Sequence, residues 1–382
     1  GVIVAVLDGE VDVYHPDFKG RVVRKRNYTN EPWGNPHPHA THVAGIIAGN
    51  GSKYKGMAPE AIIWSYKIQT SEANESAEGF RGADAIEDVI KDMKDGVRIA
   101  NCSWGTSATP DGTSIWAKTA ERAAKLGLVL VKSAGNGGPG PGTLTSPADA
   151  KGDVIVVGAS SHDGTGVMNF SSRGPTTDNR PKPDILAPGQ LIVSAKPGKG
   201  YQKMNGTSMS APHIAGIAAL ILERYPQLKP WQIKKILMES AKGLDSEKDP
   251  NVQGKGLVDV VKALQMAGQP LSEEKKITYT SAVTDRKLLE QLNIAVQNTG
   301  GETMQAVKAS LVATNNGIKV TRGEQDYGNL RVGEDARRDF EIIAPSNKSG
   351  QYDLTLNLNF TTPTGKKSQS YQIAHEVLSL PK

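Results

Sequence analysis

The first two-thirds of the 382-residue chain alternates short apolar runs, rich in β-branched residues, with stretches in which apolar residues recur at helical spacing. This alternation is typical of parallel strands buried on both faces, with helices packed outside the sheet. We therefore predict an α/β fold for this part. The predicted strands are 2–7, 61–68, 99–103, 129–133 and 154–158, and the predicted helices are 82–93, 115–125, 210–223 and 230–240.

The pattern changes after Ala267. Residues 268–272 have the composition of a linker, and beyond them apolar and polar residues alternate, which predicts about seven short strands in a smaller antiparallel β-sandwich. The clearest alternating runs are 292–296, 307–311 and 354–360, with turn signals at 298–301 and 315–317. Because the chain is also longer than one hydrophobic core usually supports, we predict two domains, 1–268 and 272–382.

Charge and composition exclude several classes of protein. The net charge is +5, but no basic run is interleaved with aromatic residues, so we predict no nucleic-acid partner. The densest basic patch, 21–26, fits a solvated edge strand or turn. No apolar run is long enough to span a bilayer. The single cysteine, Cys102, excludes an intramolecular disulfide and is expected to be a small buried hydrophobe.

Three local patterns carry residues of catalytic type, and each also has an ordinary explanation. Asp8 ends the apolar strand and could be a turn residue. His39 and His42 begin a helix of small residues, where a structural role is common. Ser208, within Asn205-Gly-Thr-Ser-Met-Ser-Ala-Pro212, opens another such helix and could be an N-cap. A simple cap does not need the preceding Asn-Gly-Thr, however, and the helix start offers backbone N–H groups to a developing anion.

A fourth pattern lies between the histidine and the serine. Val131-Lys-Ser-Ala-Gly-Asn136 is an apolar strand that leads into an asparagine flanked by glycines. The side-chain amide of Asn136 is a suitable donor to an oxyanion, although an asparagine in an ordinary turn has the same surroundings.

Together and in this order, the four patterns resemble the subtilisin-like (subtilase) serine peptidases over about residues 1–267. The order Asp, His, Ser is that of this family and differs from the chymotrypsin and α/β-hydrolase orders. Further matches are the segments 15–17, 56–60, 170–175, 183–189 and 254–259. The resemblance implies a subtilisin-like parallel sheet flanked by helices and a serine endopeptidase that acts on a protein or peptide substrate.

The resemblance also implies a role for each motif residue. Asp8, His39 and Ser208 would be the catalytic triad, His42 would be a buried helix residue, and Asn136 would form the oxyanion hole with the Ser208 N–H. The residues expected to bind substrate are Ser103, Trp104, Gly105, Ser133, Ala134 and Gly135. The primary pocket would lie between these two segments with 145–148 near its floor, and we expect broad tolerance for apolar side chains there.

Three positions depart from the family pattern. Gly9 and Glu10 stand where the family has a hydroxyl residue and then glycine, so a polar support for Asp8 is in doubt. Ala40 stands where the family has glycine, and its methyl group would be crowded if the backbone there needed a positive φ. These departures keep open an alternative, a catalytically weak or inactive module that binds a partner peptide. A third reading assigns adhesion or carbohydrate binding to residues 272–382, which we instead expect to be a stabilising or targeting appendage.

The expected chemistry requires no cofactor, and the motifs contain no set of metal ligands. The family's strong calcium site is expected to be absent because 50–55 is short and basic. Structural calcium elsewhere is compatible with the many loop oxygens. The propeptide that assists folding in many relatives is not in this chain, which suggests a processed or trimmed protein. Export is the family's usual route, so we expect a secreted protein of bacterial or archaeal origin.

Overall fold

The computed structural model describes residues 1–71, 75–268, 271–272, 282–284, 287–298, 302–313, 319–331, 334–345 and 350–377. The chain divides into two compact units, Gly1–Met266 and Ala267–Lys382. The middle of the predicted linker, most of the predicted turn at 298–301 and all of that at 315–317 lie outside the described residues.

The first unit contains a seven-stranded sheet in which all neighbouring strands are parallel, in the order β2-β3-β1-β4-β5-β6-β7. Its strands are β1 (Ile3–Asp8), β2 (Val22–Asn27), β3 (Ile62–Lys67), β4 (Val97–Cys102), β5 (Val129–Ser133), β6 (Ile155–Ser160) and β7 (Ile185–Pro188). The central strands are almost continuously buried, as their unbroken apolar runs predict. The predicted α/β fold, with a parallel sheet flanked by helices, is confirmed.

The two outermost strands were not among the five predicted strands. The basic patch at 21–26 becomes β2, an edge strand, as one of its two expected readings had it. Its cations pair with carboxylates of the same unit, Arg24 with Glu10 and Lys25 with Asp92 and Asp95. Strand β7 was missed because it has only four residues and ends in a proline, which leaves a very short apolar run to detect.

The helices of the first unit are α1 (Pro38–Ala48), α2 (Glu75–Asp92), α3 (Ile115–Lys125), α4 (Thr207–Arg224), α5 (Pro230–Ser240), α6 (Pro250–Gln253) and α7 (Val260–Ala267), with 3₁₀ turns at Pro16–Phe18 and Met93–Asp95. Helices α1 and α4 pack together and against the sheet, and α2 and α3 form a second packed pair on it. A hairpin of β8 (Ile192–Ala195) and β9 (Tyr201–Met204) packs on α1.

Strand order explains where a site forms. From β1 the chain continues to β2 and β3 on one side, whereas β4 and the later strands lie on the other side. In open α/β sheets, ligands bind outside the carboxyl ends of the strands where the order reverses. Here Asp8 ends β1 and Ser103 follows β4. Both residues therefore lie at the carboxyl ends of the two strands between which the order reverses.

The second unit consists of antiparallel strands, as predicted, but the described residues hold nine strands and not seven, and two have 13 residues. They are β10 (Leu271–Ser272), β11 (Ala282–Thr284), β12 (Lys287–Gln297), β13 (Met304–Ala313), β14 (Lys319–Arg322), β15 (Glu324–Leu330), β16 (Asp335–Pro345), β17 (Gly350–Thr362) and β18 (Gly365–Val377). One sheet has the order β10-β12-β16-β14, with β11 also on β12, and the other β15-β13-β17-β18. Phe340 of the first sheet and Leu356 of the second belong to one shared apolar core.

Candidate active site

A strand end and a helix start bring Asp8 and His39 together. Asp8 is fully buried, and the side chain of His39, the second residue of α1, is 26% exposed. Nδ1 of His39 lies 3.0 and 2.9 Å from the two carboxylate oxygens of Asp8. Because a carboxylate only accepts hydrogen bonds, this contact places a proton on Nδ1 and leaves Nε2 as the basic nitrogen of the neutral ring.

The support of Asp8 that was in doubt comes from the backbone. The Gly9 N–H donates to Asp8 Oδ1 at 2.8 Å, so a hydroxyl is not the only group that can hold this carboxylate. Gly9 also makes room for a neighbour, since a methyl group built on its Cα would overlap the side chain of His37.

His37 was missed in the sequence, although His37-Pro38 carries the signal of a helix start. It is the N-cap of α1, and its Nδ1 accepts the backbone N–H of His39 at 3.1 Å. The two imidazole rings meet edge to face with centroids 6.3 Å apart. Burial lowers the pKa of His37, which favours the neutral ring that this acceptor role requires. His37 therefore fixes the start of the helix that presents His39.

Glu10, the second departure from the family pattern, is the centre of a buried charge cluster. Its carboxylate accepts from Arg24 at 2.6 and 3.0 Å and from the backbone N–H groups of Gly34 and Asn35 at 2.8 to 3.1 Å. Lys67 Nζ lies 3.7 Å from Glu10 and 2.7 Å from Glu31. Through Gly34 and Asn35, the cluster holds the loop that leads into α1. Because His39 is the second residue of α1, this loop helps to set the position of His39.

The third departure, Ala40, causes no crowding. It lies inside α1, its backbone is helical, and its methyl group is buried among core residues. His42, one turn further along α1, is a buried helix residue as expected. Its Nε2 lies 3.0 Å from the carbonyl oxygen of Ile192 and 3.2 Å from that of Gln202 in the hairpin. Burial lowers the pKa of His42 to about 4, so it is neutral near pH 7 and serves to attach the hairpin.

Ser208 lies in the first turn of α4, opposite the end of β4. Its hydroxyl donates to the carbonyl oxygen of Ser103 at 3.1 Å, and the Ser103 hydroxyl donates to the carbonyl oxygen of Ser208 at 2.9 Å. This reciprocal pair joins the start of α4 to the segment after β4. Helix α4 also packs on β1 and α1, which carry Asp8 and His39.

Asn136 follows β5 and faces the same helix start. Its Oδ1 accepts the N–H of Thr207 at 2.9 Å and the Thr207 hydroxyl at 3.1 Å, so the amide is oriented with Nδ2 available as a donor. A methyl group built on Gly206, which has φ of +147°, would lie 3.4 Å from Asn136 Nδ2 and 3.6 Å from the Ser208 nitrogen. Two N–H donors therefore border one small space, which only glycine leaves open.

The predicted substrate-binding residues form two neighbouring segments, 103–105 after β4 and 133–135 at the end of β5. The indole of Trp104 is buried in the core, against Gly82 of α2, so only its main chain is available to a peptide. Thr145 lies between the segments, since a methyl group on Gly105 would overlap it and one on Gly135 would lie 3.0 Å from its hydroxyl oxygen.

The comparison with known proteins agrees with this geometry. Residues 1–256 match the Subtilase family. The chain belongs to the subtilase family. The serine protease AprX from Bacillus subtilis is 35% identical over 292 residues, which cover 68% of this chain and 65% of AprX. Subtilisin DY from Bacillus licheniformis is 30% identical over 270 residues, which cover 69% of this chain and 91% of subtilisin DY.

Solved structures give the same result for this subtilase. The prenylagaramide maturation protease PagA superimposes with a TM-score of 0.59 at 28% identity, over 69% of this chain and 93% of PagA. The chain spans just under two thirds of the length of AprX, and the family match ends at residue 256, before the second unit. The predicted family is thus confirmed.

Two features of the described residues bear on other classes of function. None of the helices there is both long and apolar enough to cross a membrane. Within the same ranges, no three His, Cys, Asp or Glu side chains are grouped to hold a metal ion. Structural calcium therefore stays a prediction for backbone and loop oxygens.

Proposed function

We propose that this subtilase is a serine endopeptidase that hydrolyses peptide bonds through Asp8, His39 and Ser208, by way of an acyl-enzyme. The observation that carries the proposal is the contact of His39 Nδ1 with both oxygens of a fully buried Asp8. The contact lies at the carboxyl end of the parallel strands, where the start of α4 presents Ser208. Family membership supports the reaction type.

In the first step, Nε2 of His39 would take the Ser208 proton as Oγ attacks the scissile carbonyl carbon. The Ser208 hydroxyl, which donates to the carbonyl oxygen of Ser103, would give up that contact as its proton passes to the imidazole. His39 would then protonate the leaving amine, and water would repeat the cycle on the ester. Asp8 holds the tautomer and stabilises the imidazolium.

The charge that develops on the carbonyl oxygen would be stabilised by Asn136 Nδ2 and the Ser208 N–H. Their common border on the space beside Gly206 supports this assignment. Because Thr207 fixes the amide through Oδ1, the donor is oriented before the reaction, which is the condition under which such hydrogen bonds are most effective.

The peptide-binding alternative is weakened by the same contacts. The Gly9 N–H supports Asp8, Ala40 fits a helical backbone, and Glu10 is paired, so none of the three departures disturbs the Asp8–His39 contact.

Turnover decides between the two functions. An unfolded protein should be hydrolysed, and an activated ester should release a rapid burst of its leaving group, equal to the enzyme concentration, followed by a slower rate. Ser208→Ala should abolish the burst, whereas His162→Ala, a change at an exposed histidine outside the site, should leave it intact. Peptide binding by wild type without a burst would support the binding module.

We also propose that the second unit is a β-sandwich appendage and that the protein is exported. The apolar core that the described residues of its two sheets share supports the first point. The hydroxyl of Tyr327 on β15 also donates to the carbonyl oxygen of Ile294 on β12, across the sheets, at 2.8 Å. The family's usual route supports the second. Detection of the protein in the culture medium and not in the cell pellet tests export.

A further inference from the structure

A buried lysine lies beside the residues proposed to bind substrate. Lys132 belongs to β5, directly before Ser133, and is 0% exposed. Its ammonium group donates to the carbonyl oxygen of Ser133 and, at 2.9 Å, to the Ser133 hydroxyl. An ammonium has three N–H donors, so these contacts leave one donor for another group.

Lys132 differs from the other buried lysines in its charge partners. Lys67 lies 2.7 Å from Glu31, and Lys182 lies 2.8 Å from Asp184. Within the described ranges, no carboxylate lies within ion-pair distance of Lys132. A buried ammonium is costly unless a negative charge compensates it, so an unpaired lysine at this place needs an explanation.

The nearest acidic influence is Asp149, which acts at longer range. Its charge favours the protonated form of Lys132, but its Oδ2 accepts the N–H of Gly112 at 2.9 Å and its Oδ1 has no hydrogen-bond partner. The other titratable neighbour, Cys102 on β4, is a neutral thiol near pH 7 because burial raises its pKa to about 12. Neither group neutralises the ammonium by direct contact.

The buried ammonium lies next to both substrate-binding segments, since it contacts Ser133 and approaches Gly105. A methyl group built on Gly105 would lie 3.6 Å from Lys132 Nζ and would overlap Thr145. Thr145 also approaches Gly135 at the end of the second segment. A side chain that entered between Gly105 and Gly135 would therefore move towards a hydroxyl and a cation.

We propose that Lys132 is a specificity-determining residue that selects peptides with a glutamate or aspartate immediately before the scissile bond. This inference rests on the proposed endopeptidase function and replaces the expectation of broad apolar tolerance. A substrate carboxylate would occupy the remaining donor of Lys132 and supply the missing negative charge, while the Thr145 hydroxyl could donate a second hydrogen bond.

The selection should depend on pH. Burial lowers the pKa of Lys132 to about 7, so the free enzyme loses this cation as the pH rises through neutrality. A bound carboxylate favours the protonated lysine. The preference for glutamate over the uncharged, isosteric glutamine should therefore be largest below pH 7 and should decline above it.

The test uses the full chain and three peptides that differ only in the residue before the scissile bond, which is Glu, Gln or Leu. We expect kcat/KM of wild type to favour Glu over Gln by roughly 10- to 100-fold, the range expected of a hydrogen bond to a charged group. Lys132→Met should reduce this ratio to about 1 and improve the Leu peptide. Lys125→Met, a change at an exposed lysine of α3, should leave the ratio unchanged.

Two further measurements keep the result decisive. Thr145→Asp would place a carboxylate beside Gly105 and should also abolish the preference for Glu, which provides a second variant if Lys132→Met does not fold. In the Ser208→Ala protein, peptides that end in Glu, Gln or Leu should bind with the same order of affinity, a readout that needs no catalysis. Equal or better cleavage and binding of the Leu peptide, with no response to Lys132→Met or Thr145→Asp, would overturn the inference. Failure of the proposed function would instead appear as absence of the ester burst.

Discussion

The two units of the chain bury different kinds of side chain. In the first unit the buried residues include many ionisable groups, among them Asp8, Glu10, Lys67, Lys132, Lys182 and Asp184. In the described part of the second unit the shared core is apolar except for the hydroxyl of Tyr327, and the other buried polar residues are Asn298 and Thr362. An apolar core is enough to hold two sheets together, whereas buried charges are costly and are found mainly where they position or react with something.

The location of the charges supports this interpretation. Asp8 contacts His39, Glu10 anchors the loop before α1, and Lys132 borders the two substrate-binding segments. Lys182 and Asp184 form a pair of another kind. They lie in the loop directly before β7, and Lys234 also contacts Asp184 at 3.1 Å. We therefore predict that changes to Asp8, Glu10 or Lys132 affect activity, whereas changes to the core of the second unit affect stability alone.

The largest expected effect is that of Asp8→Asn. An amide in place of the carboxylate would no longer hold His39 with its proton on Nδ1, and kcat should fall by about 10⁴-fold, as for other triads with this change. Asp163→Asn, at an exposed aspartate, is the matched control and should leave kcat unchanged. Steady-state hydrolysis of a peptide measures both, and a loss of less than 10-fold in Asp8→Asn would argue against the proposed role.

Asn136→Ala should lower kcat by about 10²- to 10³-fold with little change in KM, since an oxyanion donor acts mainly in the transition state. Asn136→Asp separates this role from a structural one. It keeps the acceptor for Thr207 but removes the Nδ2 donor and adds a negative charge, so kcat should be at least as low as in the alanine variant. Wild-type kcat in Asn136→Asp would show that Asn136 only orients α4.

Glu10→Gln should lower both stability and turnover. It removes the charge that compensates Arg24 and part of that facing Lys67, which should reduce the free energy of unfolding by roughly 3 kcal/mol. Because the Glu10 carboxylate also binds the N–H groups of Gly34 and Asn35, kcat should fall through misplacement of α1. Urea unfolding and initial rates measure the two effects.

The matched change in the second unit is Leu356→Ala, at a fully buried core position. It should reduce stability by a similar amount, about 3 kcal/mol, because it leaves a cavity between the sheets. Its kcat should equal that of wild type at temperatures where the protein stays folded. If Leu356→Ala lowered kcat as much as Glu10→Gln, the contrast between the two units would fail.

The smallest effect concerns His42 and pH. Its pKa is about 4 in the folded protein, below the ordinary value of 6.5, because burial disfavours the charged ring. The unfolded chain therefore binds more protons between these values, and stability should fall by about 2–3 kcal/mol as the pH drops from 6.5 to 4. Urea midpoints across this range should show the slope. His42→Gln keeps a donor for the hairpin carbonyls without titrating, so it should remove this part of the slope.

Much of the first unit could be predicted because its signals are local. Apolar runs gave the central strands, and helix α3 and strand β5 begin and end at the predicted residues. Strand β2 was harder, since its basic residues are neutralised by carboxylates far along the chain. In the second unit, alternation predicted antiparallel strands but not their number or length.

The candidate site shows the same division. Asp8, His39 and Ser208 stand in motifs that can be read from the sequence. The contributions of His37, Glu10 and Lys132 depend on pairings across more than one element, such as the packing of His37 on Gly9 and the approach of Lys132 to Gly105. In the sequence, the one available signal for Lys132 was a lysine inside an otherwise apolar strand.

The central claim is that Ser208 is an activated nucleophile. A fluorophosphonate reacts with such a serine, and peptide mass spectrometry locates the adduct. The account predicts one adduct, on Ser208, that is absent from Ser208→Ala and His39→Ala and retained in His162→Ala. A folded protein at neutral pH that gave no adduct, or an adduct on another serine, would contradict it.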